Sequence, residues 1–489
     1  MKNWEIQILK KIKNKKIAMC HGVFDFVHPG HIYHFEQAKK ISDFLVVSVT
    51  ADKFVNKGPS RPFYSLNDRI KHLESLKFID LVIPSNYETA VNNIRLVKPN
   101  FYVKDQEYEA DSNKKDKNIY KEIREVKKFN GKIFFTRNKK YSSSRILNEK
   151  IYNEEFLKFI KKDSFFFQNY LDQCKKIKDK KILIIGETIF DEYIYVSPLN
   201  KSNKENLVAN NVIKEDLFYG GALIISKIAA EFSKNVTLIT GIQNNHFKKI
   251  SNIKNFSIKN FIKSNFNNIK KTRYIDKNNL NKIFLKYQDT ESSALYEYKK
   301  IENFIEKNLS KFDILIVSDF GHNLLNKKII NLIEKNKIYK STNCQSNSFN
   351  LGFNLITKYK KLNNISIDLF EAKLATHIKE DNFNAILKTI RKRIKFDTIY
   401  ITLGKYGAIN YFNNKLIRIP SLFKDRALDT MGAGDIFHLI SSLMSYKNNN
   451  TKDVLIIASI AAGLKVKTLG HSVEKYKSEI IQVLKTLSK

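Results

Sequence analysis

Cysteine is scarce in this 489-residue chain, and its spacing suits no covalent framework: Cys20, Cys174 and Cys344 are odd in number and far apart. A disulfide scaffold and a Cys-x-x-Cys metal site are both excluded, and a reducing cytoplasm is the expected location. No apolar run reaches the roughly 18 residues that a membrane span needs. The start, Met1-Lys-Asn-Trp-Glu-Ile, lacks the uninterrupted apolar core of a secretion signal, so neither membrane nor export is expected. No Gly-x-x-x-x-Gly-Lys-Ser/Thr phosphate loop occurs, and no repeat indicates a solenoid.

What the chain has is positive charge, 86 Lys+Arg against 49 Asp+Glu for a formal +37. Lysine carries most of it and is spread along the whole sequence, with no basic block interleaved with aromatics. That pattern is a compositional bias rather than a polyanion-binding patch, so small anionic molecules are the expected partners and no specific nucleic acid is. A 43% hydrophobic share and this length leave room for two or three cored domains.

Apolar runs at Ile17–Cys20, Phe44–Val49, Ile79–Ile83, Phe101–Lys104 and Lys132–Phe135 alternate with helical patterns at His31–Lys40 and Leu66–Leu76. This is the pattern of a parallel sheet covered by helices, an α/β Rossmann-like domain over residues 1–150. Residues 151–180 read as a Lys-rich connecting helical segment. A second α/β series over 181–489 begins at the strand Lys181–Gly186 and continues at Val236–Gly241, Ile314–Ser318 and Thr398–Gly404. Tyr193–Val196 reads as part of a small β lid, and residues 244–282, rich in Asn, Lys, Ile and Phe, as lightly built surface structure.

Two constellations carry chemistry. After the first strand comes His21-Gly-Val-Phe24-Asp25-Phe-Val-His28-Pro-Gly30-His31. A turn closed by Pro and Gly lets backbone approach a phosphate, the next helix aims its N–H groups at it, and His28 and His31 reach the same phosphate chain. The segment resembles the cytidylyltransferase-like nucleotidyltransferases, whose His-x-Gly-His is matched by His28, Gly30 and His31 and whose Phe-Asp is matched by Phe24 and Asp25. Lys57, Arg61 and Arg69 are similar to that family's basic loop and helix arginine, and Ser142, Ser143 and Ser144 to its closing turn. The resemblance implies that these residues, with Lys104, bind a nucleoside triphosphate and that the two histidines stabilise charge as pyrophosphate departs.

Near the other end lies Asp429-Thr-Met-Gly432-Ala433-Gly434-Asp435, leading into an apolar helix. Successive small residues expose N–H groups as an anion hole, and Asp435 stands where a base could take a hydroxyl proton. This segment resembles the signature of the ribokinase and phosphofructokinase-B sugar kinases. That likeness implies substrate contacts at Asp191, Gly220, Gly221 and Asp319, and a magnesium-linked Glu371. It also implies a nucleotide side at Thr402, Gly404, Gly407, Gly432, Ala433 and Gly434. Glu187 departs from the heptose-type kinases, which usually carry Asp there, as do Leu223 and Ile224 where an Asn is expected.

Together the halves resemble bifunctional heptose-phosphate kinase/heptose 1-phosphate adenylyltransferases with the domain order reversed. The implied partners are a sugar phosphate and ATP, with CTP as the other nucleotide to test, Mg²⁺ as cofactor, and a homodimer as the assembly to test. Two rivals stand beside it: a cytidylyltransferase for a polyol or amino-alcohol phosphate with an inactive kinase-like half, and a non-enzymatic polyanion binder.

Overall fold

Runs rich in Ile, Val and Phe become strands buried on both faces, as a helix-covered parallel sheet requires. The computed structural model describes residues 3–55, 62–109, 114, 117–137, 152–160, 166–201, 206–243, 246–247, 250, 255–288, 296–424, 427–470 and 475–487. The chain divides into two units, Met1–Lys150 and Ile151–Lys489.

The first unit holds β1 (Ile17–Gly22), β2 (Phe44–Thr50), β3 (Leu81–Ser85), β4 (Phe101–Asp105) and β5 (Lys132–Thr136). They lie in the order β3-β2-β1-β4-β5, all parallel. Alternate side chains feed two layers: Met19, Val46 and Tyr102 pack on one face, and Ala18, Leu45, Val47 and Val103 on the other. The strand order reverses between β1 and β4, and such a switch point opens a crevice at the carboxyl ends of the strands.

The second unit is built on β6 (Lys181–Gly186), β9 (Asn235–Thr240), β10 (Phe256–Asn260), β13 (Ile314–Asp319), β14 (Tyr339–Cys344), β15 (Asn364–Asp368), β16 (Thr398–Thr402), β17 (Ala408–Phe412) and β18 (Lys415–Ile419). Their order is β10-β9-β6-β13-β14-β15-β16-β17-β18, parallel through β16 and antiparallel beyond it. A separate four-stranded sheet, β12-β11-β7-β8, forms the lid from β7 (Thr188–Lys201), β8 (Val208–Gly221), β11 (Ile269–Asp276) and β12 (Lys282–Gln288). Among the described residues no helix is long and apolar enough to cross a membrane.

Two expectations change. The stretch 151–180 folds into helices Glu154–Ile160 and Phe166–Ile177, and Phe156, Ile160, Phe166, Tyr170 and Ile177 are buried in the core of the second unit. Its exposed Lys158, Lys175 and Lys176 gave it the look of a connector. Within 244–282, β11 is an inner lid strand rather than surface structure, with Lys271, Thr272 and Arg273 all buried.

Candidate active sites

In the first unit, β1 ends at Gly22 and the helix Pro29–Lys40 starts with proline in its first turn, where a missing N–H costs nothing. His28 caps it, its Nδ1 accepting from the His31 N–H at 3.3 Å. The two imidazoles stack with centroids 3.9 Å apart and planes 16° from parallel. Phe24, held at φ +48°, sets its ring edge-on to His31 at 5.4 Å. Gly30 lies in the same first turn, so both histidines and the start of the helix gather at the carboxyl end of β1.

Lys104 closes β4 on the other side of the switch point. It is buried, with Nζ 3.3 Å from Glu122 and 3.4 Å from the His21 carbonyl. Glu122 also accepts from the Ala90 N–H at 3.0 Å and the Tyr102 hydroxyl at 2.9 Å. Burial works to raise the Glu122 carboxyl, but Lys104 and His21 outweigh it and hold it below the usual range. Burial, with Lys104 beside them, pushes His21 and His34 each down to about 4. His21 bonds Ser48 at 2.9 Å, and His34 bonds Thr136 at 2.8 Å. His21, His34 and Glu122 fall outside the motif; His21 and His34 flank it in sequence, whereas Glu122 is distant and carries no sequence signal.

Asp25 accepts from the Phe63 N–H at 2.7 Å and the Tyr64 N–H at 3.0 Å, so it anchors the chain just after the basic loop. Lys57 and Arg61 of that loop, and Ser142, Ser143 and Ser144, lie outside the described residues. Arg69 is held by protein groups. Its guanidinium is 1% exposed. It donates to the Tyr64 carbonyl at 3.0 Å, the Val23 carbonyl at 2.5 Å, the Thr50 carbonyl at 2.9 Å and Asp52 at 2.6 Å. Four of five N–H donors are thus committed to protein. Arg69 thereby fastens the ends of β1 and β2 together.

In the second unit, Gly432 takes φ +74° as the N-cap of the helix Ala433–Ser445, a conformation that favours glycine. A methyl group on Gly434 would meet nothing within 4 Å, so open space adjoins the N–H groups of the first turn. Asp435 sits in that turn. Loss of hydration pushes its carboxyl up to about 6; Asp191 adds to this, while Lys271 and Lys465 oppose it. Glu371 closes a capping box with Asp368 at the start of the helix Leu369–Thr376. Burial, with Asp368 and Asp435 adding, pushes it up to about 8. Asp435, Lys271, Lys465 and Glu371 therefore share one electrostatic neighbourhood.

Thr402 ends β16 and faces Asp368 across the sheet register. Gly404 follows at φ +57° with open space beside it. Gly407, at φ +94°, passes so close to the Ile419 carbonyl that an added Cβ would lie 1.9 Å from it. Gly220 pairs with Ile189 in the lid. Gly221, at φ +59°, turns β8 into the helix Ala222–Phe232. There a Cβ would lie 2.4 Å from the Glu187 carbonyl.

Three carboxylates near this site have protein partners. Asp191 pairs with Arg273 at 2.5 Å within the lid. Asp319, expected to touch substrate, is 1% exposed. It accepts from the Tyr359 hydroxyl at 2.6 Å, Asn354 at 3.1 Å and the Gly321 N–H at 3.2 Å, and pairs with Lys358 at 2.5 Å. It binds the loops beyond β13 and β14 together. Glu187 is wholly buried and accepts the N–H groups of Phe320 at 3.0 Å, His322 at 3.1 Å and Leu324 at 3.2 Å.

Comparison with known proteins fits this geometry. The cytidylyltransferase-like model matches residues 19–149, and that of the pfkB family carbohydrate kinases matches residues 179–475. The chain belongs to the pfkB carbohydrate kinase family and carries a cytidylyltransferase-like domain ahead of it, and it is a transferase.

Bifunctional protein HldE of Actinobacillus pleuropneumoniae serotype 5b is 36% identical over 122 residues, 24% of this chain and 26% of that protein. HldE of Chromohalobacter salexigens is 39% identical over 100 residues, 20% of this chain and 21% of that protein. The chain thus matches about a quarter of the length of these relatives. For fold alone, phosphofructokinase-2 of Escherichia coli, solved with substrates and products, superposes with a TM-score of 0.51 at 13% identity, covering 62% of this chain and 99% of that one.

Proposed function

We propose that the chain makes a nucleotide-sugar in two steps. The second unit phosphorylates a sugar or sugar phosphate with ATP, and the first joins the resulting sugar 1-phosphate to a nucleotide with release of pyrophosphate. The observation that carries this reading is the pair of separately built phosphate cradles. One is the stacked His28 and His31 at a helix start. The other is the Gly432–Gly434 turn with Asp435 in the same turn.

In the kinase step, Asp435 takes the proton of the attacking hydroxyl while the N–H groups of the turn hold the γ-phosphoryl oxygens until ADP leaves. In the second step, a phosphate oxygen of the sugar 1-phosphate attacks the α-phosphorus, His28 and His31 stabilise the charge that builds there, and pyrophosphate departs.

Among the described residues no three or more His, Cys, Asp or Glu gather to cage a metal. The family resemblance links Glu371, which lies near Asp435, to a hydrated Mg²⁺ carried mainly by nucleotide phosphates. Such an ion would offset phosphate charge. A heptose is the sugar favoured by the resemblance of the two halves to heptose-phosphate kinase/heptose 1-phosphate adenylyltransferases, and ATP the favoured nucleotide, because Val103-Lys104 resembles the Val-Lys that heptose adenylyltransferases carry. The alternative is a cytidylyltransferase for a polyol or amino-alcohol phosphate with an inactive kinase half, prompted by Glu187, Leu223 and Ile224.

The test is a panel of heptoses, hexoses and their phosphates with ATP or CTP and Mg²⁺, read by mass spectrometry. His28→Ala should abolish pyrophosphate release and spare ADP formation, and Asp435→Asn should do the reverse. Pyrophosphate from CTP with no ADP from any sugar would establish the alternative.

A further inference from the structure

The Asp429 carboxylate occupies a position that neither phosphate cradle explains. It is 2% exposed and lies just before the anion-hole turn. From the lid it accepts the Tyr193 hydroxyl at 2.8 Å, on β7, and the Lys282 ammonium at 3.0 Å, on β12. From the body it accepts the N–H groups of Met431 and Gly470, each at 3.1 Å, and lies 3.6 Å from the buried Lys465. Lid, anion-hole turn and the chain at Gly470 thus converge on one carboxylate. The surrounding cations outweigh burial and hold it down at about 2, so it is charged throughout the working range.

The register explains how the lid reaches it. Asp191 faces Lys271 and Tyr193 faces Arg273 across the β7–β11 ladder, so all four share one face of the lid sheet. On that face Phe218 packs against Tyr193 with ring centroids 5.1 Å apart. Phe218 in turn sits so close to Gly470 that an added Cβ there would lie 2.6 Å from its ring. Lys271 lies on this same face and acts on Asp435.

We propose that Asp429 is a positioning residue that latches the lid over the kinase site. Tyr193 and Lys282 dock on it as the lid closes, and through Met431 the docked carboxylate sets the N–H groups of the anion hole. Closure and assembly of the phosphoryl cradle become one event, which excludes water when the acceptor is in place.

This rests on the kinase reading for its catalytic consequence but not for its structural one, so two measurements separate the failures. Tyr193→Phe and Lys282→Met, singly and together, each remove one tie while keeping the bulk of the side chain. Amide hydrogen exchange on the full chain should be faster at Thr188–Val196 and Ile269–Asp276 in the double variant by about tenfold, with the β13 and β14 core unchanged. Unchanged exchange in those lid strands, or faster exchange throughout the second unit, overturns the proposal whether or not the unit is a kinase.

In the ADP assay the double variant should lower kcat and raise the acceptor KM, each by about tenfold, and pyrophosphate release should be unaltered. Wild-type KM in an otherwise weakened variant also overturns the latch. A wild-type protein that forms no ADP with any acceptor overturns the kinase reading alone.

Discussion

At the scale of single residues, a carboxylate in this protein is defined by its donors. Glu187 takes three main-chain N–H groups with both oxygens, Oε2 from Phe320 and Oε1 from His322 and Leu324. A glutamine has one oxygen and one NH₂ group, so Glu187→Gln must set a donor against a donor in a wholly buried site. The expected cost is about 2–3 kcal/mol, seen as a lower denaturant midpoint for the second unit. If Glu187 served substrate instead, stability would hold and only the acceptor KM would rise.

Asp435 obeys a different rule, because its shift to about 6 leaves part of it protonated near neutrality. A base works only when ionised, so kinase kcat/KM should climb with pH and level off above about 6. His21 and His34, down at about 4, stay neutral over that range and add no limb of their own to the pyrophosphate-forming profile. A kinase profile flat from pH 5 to 8 would remove Asp435 from the role of base.

At the scale of elements, two glycines in similar sequence settings answer to different physics. Gly221 has φ +59° and a backbone carbonyl 2.4 Å from where a Cβ would stand. Gly221→Ala therefore strains the β8-to-helix turn, with an expected cost of at least about 2 kcal/mol. Gly434 sits in a helical first turn with nothing within 4 Å. Gly434→Ala should leave unfolding unchanged or slightly improved, because alanine favours a helix. Its methyl group would intrude on the space proposed for the phosphoryl oxygens, so kinase turnover should fall by about 100-fold. Loss of stability without loss of turnover in Gly434→Ala would show that the turn is only a cap.

The same contrast explains what the sequence made legible. Strands such as β1, β2, β6 and β13 are continuous apolar runs, and burial on both faces leaves them no other use, so their positions could be read directly. Lid strand β11 could not. Its Lys271, Thr272 and Arg273 are buried polar groups on a sheet that closes over charge, and in sequence they look like surface. Arg69, Asp319 and Glu187 show the matching limit at the sites. Motif spacing places a charged side chain beside a cleft but does not tell whether its partners are main-chain groups or a ligand. Asp429 stands in the glycine-rich motif, yet its partners Tyr193, Lys282 and Gly470 are distant in sequence and only the fold assembles them.

At the scale of the whole molecule, the division into Met1–Lys150 and Ile151–Lys489 makes a prediction about where the chain can be cut. Phe156, Ile160, Phe166, Tyr170 and Ile177 are each no more than 2% exposed, and they join the cluster that contains Leu439, Leu443 and Ile480. Gln173 adds hydrogen bonds to the Leu443 carbonyl at 3.1 Å and the Tyr446 carbonyl at 2.8 Å. Burying one large apolar side chain contributes about 1.5–3 kcal/mol, and five of them exceed the net stability of many domains. A fragment of residues 152–489 should therefore unfold cooperatively and keep kinase turnover within about twofold of the full chain. A fragment of residues 181–489, cut at the boundary that composition suggests, should aggregate or bind a hydrophobic dye because its core face is uncovered. Equal thermal midpoints for the two fragments would mean that the helices at 154–177 only decorate the kinase unit, and the boundary would return to residue 181.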